Sequence, residues 1–352
     1  MLKNKVYLKK MLKQNLLLLL KKILHKTLII KIMNQQKNDK NDNLGISTIY
    51  FYKEIVKKNI TWQQIKDKLY QLDLSAVELN ADIPVEWFKE IQKDVVENKI
   101  KVLSLHNFCP SVENIPKGKY GFNVFSLTSA DEQEHNLAIK YTLRTIDYAE
   151  LVNSKAVVLH LGEIETQPTA TELYEVALQY GITSEIYHKY KSSFLSSRQK
   201  NKQKFFDLLK KTLDKILPYA ENKKINLCIE TRFFPNEIPN FEEFAEIFSC
   251  YKSNYLRYWH DFGHVEIQTI FGFEKGHKKF FDTYGNYLLG YHIHGVKNFV
   301  DHYIPSNDSQ PNYKELLKYQ EDKIYILEIH PKENFDTLIK AVKYTKLVLN
   351  GK

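Results

Sequence analysis

Cysteine is scarce in this chain. Cys109, Cys228 and Cys250 are the only three, an odd number with no CxxC pair. That pattern excludes a disulfide-stapled secreted scaffold and suits a reducing cytoplasm. Twelve glycines and ten prolines in 352 residues are too few for a fibrous or low-complexity chain. No GxGxxG follows any apolar run, which removes the dinucleotide-binding fingerprint. No apolar stretch reaches membrane-spanning length either: Leu16–Leu20 is interrupted by Lys21 and Lys22.

Acidic residues are absent from residues 1–38, which hold ten lysines, the first acid being Asp39. The whole chain has 51 basic and 42 acidic residues, so the remaining part carries 41 basic and 42 acidic groups, a balance of −1. The net charge of +9 therefore describes a tail, and the body lacks the bulk positive charge of a nucleic-acid backbone binder. Residues 1–43 are expected to be a basic extension and polar linker (Asn34–Asn43) outside the fold. They read as a targeting or membrane-surface segment, or as residues ahead of a start at Met33.

From Gly45 onward strands alternate with helices. Strands are expected at Ile46–Tyr52, Ala76–Leu79, Lys101–His106, Ala156–His160, Ile225–Glu230, Leu256–Asp261, Leu288–His292 and Ile324–Glu328. Helices follow Thr61, fill Glu86–Glu97, run from a cap at Ser129 or Asp131 to Leu151, and occupy Ser193–Ala220. The last four lie near Phe241–Tyr251, Phe273–Tyr284, Tyr313–Tyr319 and Asn334–Leu349. Eight such units predict an α/β fold, a single (β/α)8 barrel over residues 44–350. Roughly 60 residues separate the fourth and fifth strands, about twice what a crossover helix needs. The excess near 163–191 predicts an insertion at the mouth, acting as a lid or a homo-oligomer contact.

The informative residues close the strands. Glu230, Asp261, His292 and Glu328 stand at intervals of 31, 31 and 36 residues, the length of a strand with its return helix. In a barrel such residues point into one shared mouth. Two Glu, one Asp and one His there form an oxygen-rich site for a divalent metal. Glu78, His106 and His160 close three earlier strands, and His264 follows Asp261 in the segment Asp-Phe-Gly-His. Arg232, two residues past Glu230, could hold a phosphate or carboxylate, or equally support a site carboxylate.

In this order and spacing the motifs Val157–Gly162, Leu227–Glu230, Asp261–His264, His292–His294 with Asp301 and His302, and Ile326–Glu328 resemble the xylose isomerase-like TIM-barrel superfamily. That group contains sugar-phosphate isomerases and epimerases as well as zinc-dependent apurinic-site endonucleases. The resemblance to the epimerase branch implies Glu230, Asp261, His292 and Glu328 as ligands of one divalent ion (Mn, Mg, Co or Zn), with His294 a rival to His292. It implies a substrate or extra-metal role for His264; Glu78, His106, His160, His294, His302 and Arg232 are further candidates for substrate or additional-metal binding. The substrate would be a sugar or sugar phosphate, isomerised or epimerised through a metal-stabilised enediolate with Glu230 and Glu328 as base and acid.

The endonuclease branch implies up to three zinc ions on nearly the same residues. Three departures weigh against it: Asp301 and His302 are adjacent, Glu230 is followed by Thr-Arg-Phe-Phe, and the body is near neutral. A binding barrel without catalysis is a third reading, disfavoured by the intact row of ligands.

Overall fold

A computed structural model describes residues 43–351 apart from 114, 308 and 314–322. The chain from Asn43 onward forms one compact unit. The expected extension, Asn43 aside, and most of the helix expected at Tyr313–Tyr319 lie outside the described residues.

Strands β1 Leu44–Ser47, β2 Ala76–Leu79, β3 Lys101–His106, β4 Ala156–Leu159, β5 Asn226–Glu230, β6 Leu256–Asp261 and β7 Leu288–Ile293 are followed by an antiparallel ribbon, β8 Gly295–Lys297 and β9 Val300–Tyr303, and by β10 Ile324–Leu327. All but the ribbon join in one closed parallel barrel ordered β1-β10-β7-β6-β5-β4-β3-β2. Helices surround it, giving the expected (β/α)8 architecture. Among the described residues no helix is long and apolar enough to cross a membrane.

Strand side chains alternate between two cores. Val157, Leu159, Leu227, Ile229, Tyr325 and Leu327 pack outward in the main cluster. Ala76, Val158, Cys228, Trp259 and Ile326 belong to a separate, inner cluster. Two residues beyond each inner residue stands a polar strand-end group: Glu78, His160, Glu230, Asp261 and Glu328. His292 stands in the same relation to Gly290, where a Cβ would lie 2.4 Å from a Trp259 ring atom. Gly290 thus makes room for the largest plug of the inner core, and that plug floors the site.

Thr61 caps its helix through a complete capping box, and Asp131 rather than Ser129 caps Glu132–Leu151. Ser129 instead donates to Glu134 at 2.8 Å. The first strand is shorter than expected: Ser47 accepts from Ile49 N–H, and the chain turns into 3₁₀ and α-helix over Thr48–Val56. Phe51 and Ile55 are buried at helical spacing, which overrides the alternation of Ile46–Tyr52. Phe262–Ile270 is an unexpected helix capped by Asp261, and the helix expected at Phe273–Tyr284 begins at His277.

The long β4–β5 connection contains the helices Ala170–Tyr180 and Glu185–Lys223. Tyr174 stacks on Phe271 at 4.1 Å, and its hydroxyl donates to Phe233 O at 3.0 Å. The Tyr187 hydroxyl donates to Phe271 O at 2.6 Å. This segment braces the loops after β5 and β6 from outside.

Glu274 bridges two such loops by accepting from Phe241 N–H at 3.2 Å. Burial outweighs that bond and raises its pKa to about 8 from 4.5. The folded chain therefore holds an extra proton between those values, so this contribution is complete below pH 4.5 and lost as pH rises through 8. Glu274→Gln is expected to match wild type in thermal stability at pH 4 and to exceed it at pH 8.5, by about 4 kcal/mol. Parallel melting curves across that range would contradict the assignment. Gly290→Ala should cost roughly 1–3 kcal/mol in chemical denaturation through overpacking against Trp259; an unchanged midpoint would show that the indole can yield.

Candidate metal centre

Glu230 is the hub of the mouth. Its Oε1 lies 2.6 Å from His292 Nδ1, and its Oε2 lies 2.7 Å from His160 Nε2 and 2.6 Å from Arg232 Nη1. His292 Nδ1 also lies 3.0 Å from Glu328 Oε2 and 3.6 Å from Asp261 Oδ2. Register makes Asp261 and His292 direct partners across β6 and β7. Thr231 ties the ends of β5 and β6, its hydroxyl accepting from Asp261 N–H at 2.9 Å. The Glu230, Asp261, His292 and Glu328 ligand atoms lie within 4.8 Å of one another, and all four residues are buried.

Two further groups adjoin this one. His106 and His160 meet Glu230 in the first; His264, His294 and His302 form the second. Backbone carbonyls engage one nitrogen of His106 and His264: Nδ1 of His106 is 3.0 Å from Asn107 O, and Nδ1 of His264 is 2.9 Å from Thr231 O. A ring that donates from Nδ1 keeps the Nε2 lone pair free for a ligand.

His294 differs, because both of its nitrogens are engaged. Nδ1 accepts from His302 N–H at 2.9 Å, and Nε2 faces Asp261 Oδ2 at 2.9 Å. Of the two rival histidines, His292 is the one in the four-residue group. His294 orients Asp261 and stacks on His302 at 4.1 Å.

Several expected placements are corrected. Glu78 lies behind His292, 3.1 Å from Nε2, and does not line the cavity. Arg232 lines the cavity, yet its guanidinium is committed: Nη1 to Glu230, and Nε and Nη2 to Glu237 at 3.0 and 2.7 Å. Of the two roles open to it in the sequence, Arg232 takes the support of a site carboxylate. His264 stands in the first turn of the helix Phe262–Ile270. Asp261 both caps that helix, through Oδ1 to His264 N–H at 2.7 Å, and faces the metal group through Oδ2.

Asp301 and His302 are adjacent but share the site, Asp301 3.5 Å from His264 and His302 3.5 Å from Glu328. A left-handed φ of 59° at His302 breaks the strand alternation that would otherwise send them to opposite faces.

Charge is balanced locally. Burial pushes the Glu230 carboxyl up, but His292, His106 and His160 outweigh it and hold its pKa well below the usual range. Burial likewise opposes His292 and His302 at Glu328, which settles at about 2. Burial lowers His292, but Glu328, Glu78 and Glu230 together raise it well above an ordinary histidine. Burial and Arg232 push His160 well below. Three buried carboxylates around one imidazole fit a divalent ion, which would take the place of the protons now shared among them.

The cavity above these residues measures about 420 Å³. Phe122, Phe125, Phe233 and Phe234 wall it, with Lys119 and Glu163 at its edge. Those aromatic walls were missed from the sequence; their signal was the phenylalanine pair directly after Thr231 and Arg232. Of the expected insertion at 163–191, Glu163 lines the cavity and residues 164–191 do not.

The sequence model of the xylose isomerase-like TIM barrel family matches residues 67–345. The chain belongs to that family. No curated protein matches it. Among solved structures it is similar to a D-tagatose 3-epimerase-like protein, with 17% identity over 88% of this chain and 97% of that one and a TM-score of 0.61. It is similar to 3-keto-D-glucoside 4-epimerase from E. coli at 13% identity, covering 88% and 99% of the two chains with a TM-score of 0.60. The IolI protein with a bound zinc atom aligns at 14% identity over 88% and 98%, with a TM-score of 0.52. Likeness at these identities establishes the shared fold.

The geometry predicts strong linkage between metal and folding. Chelated protein should gain about 2.7 kcal/mol in stability at a Mn²⁺ or Zn²⁺ concentration 100 times Kd. Glu230→Gln, which alters two ligand groups, should weaken uptake more than Glu328→Gln in calorimetric titration. Equal losses would remove Glu230 from the hub position.

Proposed function

We propose that this chain is a metal-dependent isomerase or epimerase acting on a small sugar or related hydroxycarbonyl compound. The observation that carries the reading is the convergence of Glu230, Asp261, His292 and Glu328 beneath an aromatic-walled cavity of about 420 Å³, within the range of small-molecule sites. A divalent ion held there would polarise the substrate carbonyl and support the charge that builds as the adjacent C–H bond breaks.

The protein's own residues divide the remaining work. Glu328 spends only Oε2 on His292 and His302 and lines the cavity, which suits it to move a proton. Glu230 is held through both oxygens by His292, His160 and Arg232, which suits it better to bridging than to proton transfer. This shifts the base-and-acid pairing expected of the two glutamates toward Glu328. Phe122 and Phe233 offer apolar faces against which the carbon skeleton of a sugar would pack. With Arg232 occupied, the pocket favours an uncharged sugar over its phosphate.

A second reading, a three-metal phosphodiester hydrolase, is favoured by the two histidine groups beside the central one and by the joint placement of Asp301 and His302. The small cavity, the committed arginine and the near-neutral body weigh against a duplex substrate.

Solvent-proton exchange in D₂O, followed across a panel of free ketoses and aldoses, tests the reaction without knowledge of the product. Wild type should incorporate deuterium, and Glu328→Gln should lose about 10²–10⁴-fold in rate while folding normally. Three tightly bound zinc ions, metal-dependent nicking of an abasic duplex and no exchange into any sugar would transfer the assignment to the second reading.

A further inference from the structure

We infer that Glu78 is a positioning residue that selects the tautomer of His292, and that Ser104 holds Glu78 for that task. The inference rests on the metal centre proposed above, not on the reaction assigned to it.

Glu78 and His292 are both fully buried. An imidazole presents its two nitrogens in opposite directions, and here they have different partners. Nδ1 faces Glu230 and Glu328 at 2.6 and 3.0 Å, while Nε2 faces Glu78 Oε2 at 3.1 Å. A neutral histidine carries one N–H and one lone pair. Carboxylates face both nitrogens, so the selection operates once an ion takes the place of the proton on the Nδ1 side: Glu78, which can only accept, then keeps the remaining N–H on Nε2 and leaves the Nδ1 lone pair toward the ligand group.

Ser104 Oγ donates to the same Oε2 at 2.7 Å, fixing the carboxylate in that orientation. Glu78 Oε1 is buried without a hydrogen-bond partner. A buried, half-satisfied carboxylate is costly, and packing alone gives no reason for one. Its compensation is the cationic character of His292 and of whatever His292 holds. Trp259, 5.3 Å from the His292 ring and roughly edge-on, blocks one alternative ring position.

Glutamine at position 78 keeps the shape but can donate as well as accept, so it removes the selection. The test uses chelated full-length protein titrated with Co²⁺ alone, followed by calorimetry and by the visible d–d absorption of the bound ion. Glu78→Gln should bind about 10- to 100-fold more weakly and shift the absorption. Ser104→Ala should change both in the same direction by less, and should add little on top of Glu78→Gln.

Glu78→Gln that folds and binds Co²⁺ within twofold of wild type, with the same spectrum, overturns the inference. If Glu78→Gln does not fold, Ser104→Ala decides: unchanged affinity and spectrum overturn it. A wild-type chain that takes up no Co²⁺ overturns the metal centre, and the inference with it.

Discussion

Negative charge held out of water is the constraint on which this structure depends. Glu230, Asp261 and Glu328 are buried within a few ångströms of one another, where mutual repulsion and lost hydration both oppose folding. His292 answers all three at once, and Arg232, His160 and His294 each neutralise or orient one of them. Much of the mouth follows from this requirement. Arg232 is turned inward, Thr231 laces β5 to β6, and His302 accepts an unfavourable backbone conformation to stand beside Glu328.

The barrel meets that constraint cheaply because one rule builds both the core and the site. Period-two alternation delivers an inner apolar residue and, two positions on, a ligand candidate on the same line. Cys228, Trp259 and Ile326 form a dry floor, and Glu230, Asp261 and Glu328 stand on it. A low-dielectric floor strengthens every electrostatic interaction immediately above it. The same geometry makes several ion counts chemically reasonable, so substrate size and the occupancy of Arg232 bear more directly on the reaction than the ligands do.

The strand ends were legible in the sequence because an acid or histidine closing an apolar run is conspicuous, and its recurrence fixes the βα period. Six of those residues lie in the groups that could hold an ion: His106, His160, Glu230, Asp261, His292 and Glu328. Direction was not legible. Glu78 resembled the others as a strand-end acid, but it follows a register shift between β2 and β3 and stands at the back of His292. Arg232 offered two partners on paper, and Glu237, five residues on, settled the matter through a loop whose shape no local pattern encodes. The end of β1 was misjudged because alternation and helical spacing overlap in Ile46–Tyr52, and only the packing of Phe51 and Ile55 separates them. The ribbon Gly295–Tyr303 depends on left-handed residues at Asn298, Phe299 and His302, which propensity does not anticipate.

The helix Glu185–Lys223 spans 39 residues, about 58 Å at helical rise, with Pro218 inside its C-terminal part. Its first turn supports the mouth through Tyr187, and its last turn meets the outer wall where Lys223 pairs with Glu150. Mouth and outer wall are therefore tied to one helix. A single inserted residue in its middle would rotate Tyr187 by about 100° around the axis, away from Phe271. A change of length here keeps Tyr187 on Phe271 only when it comes in near-whole turns.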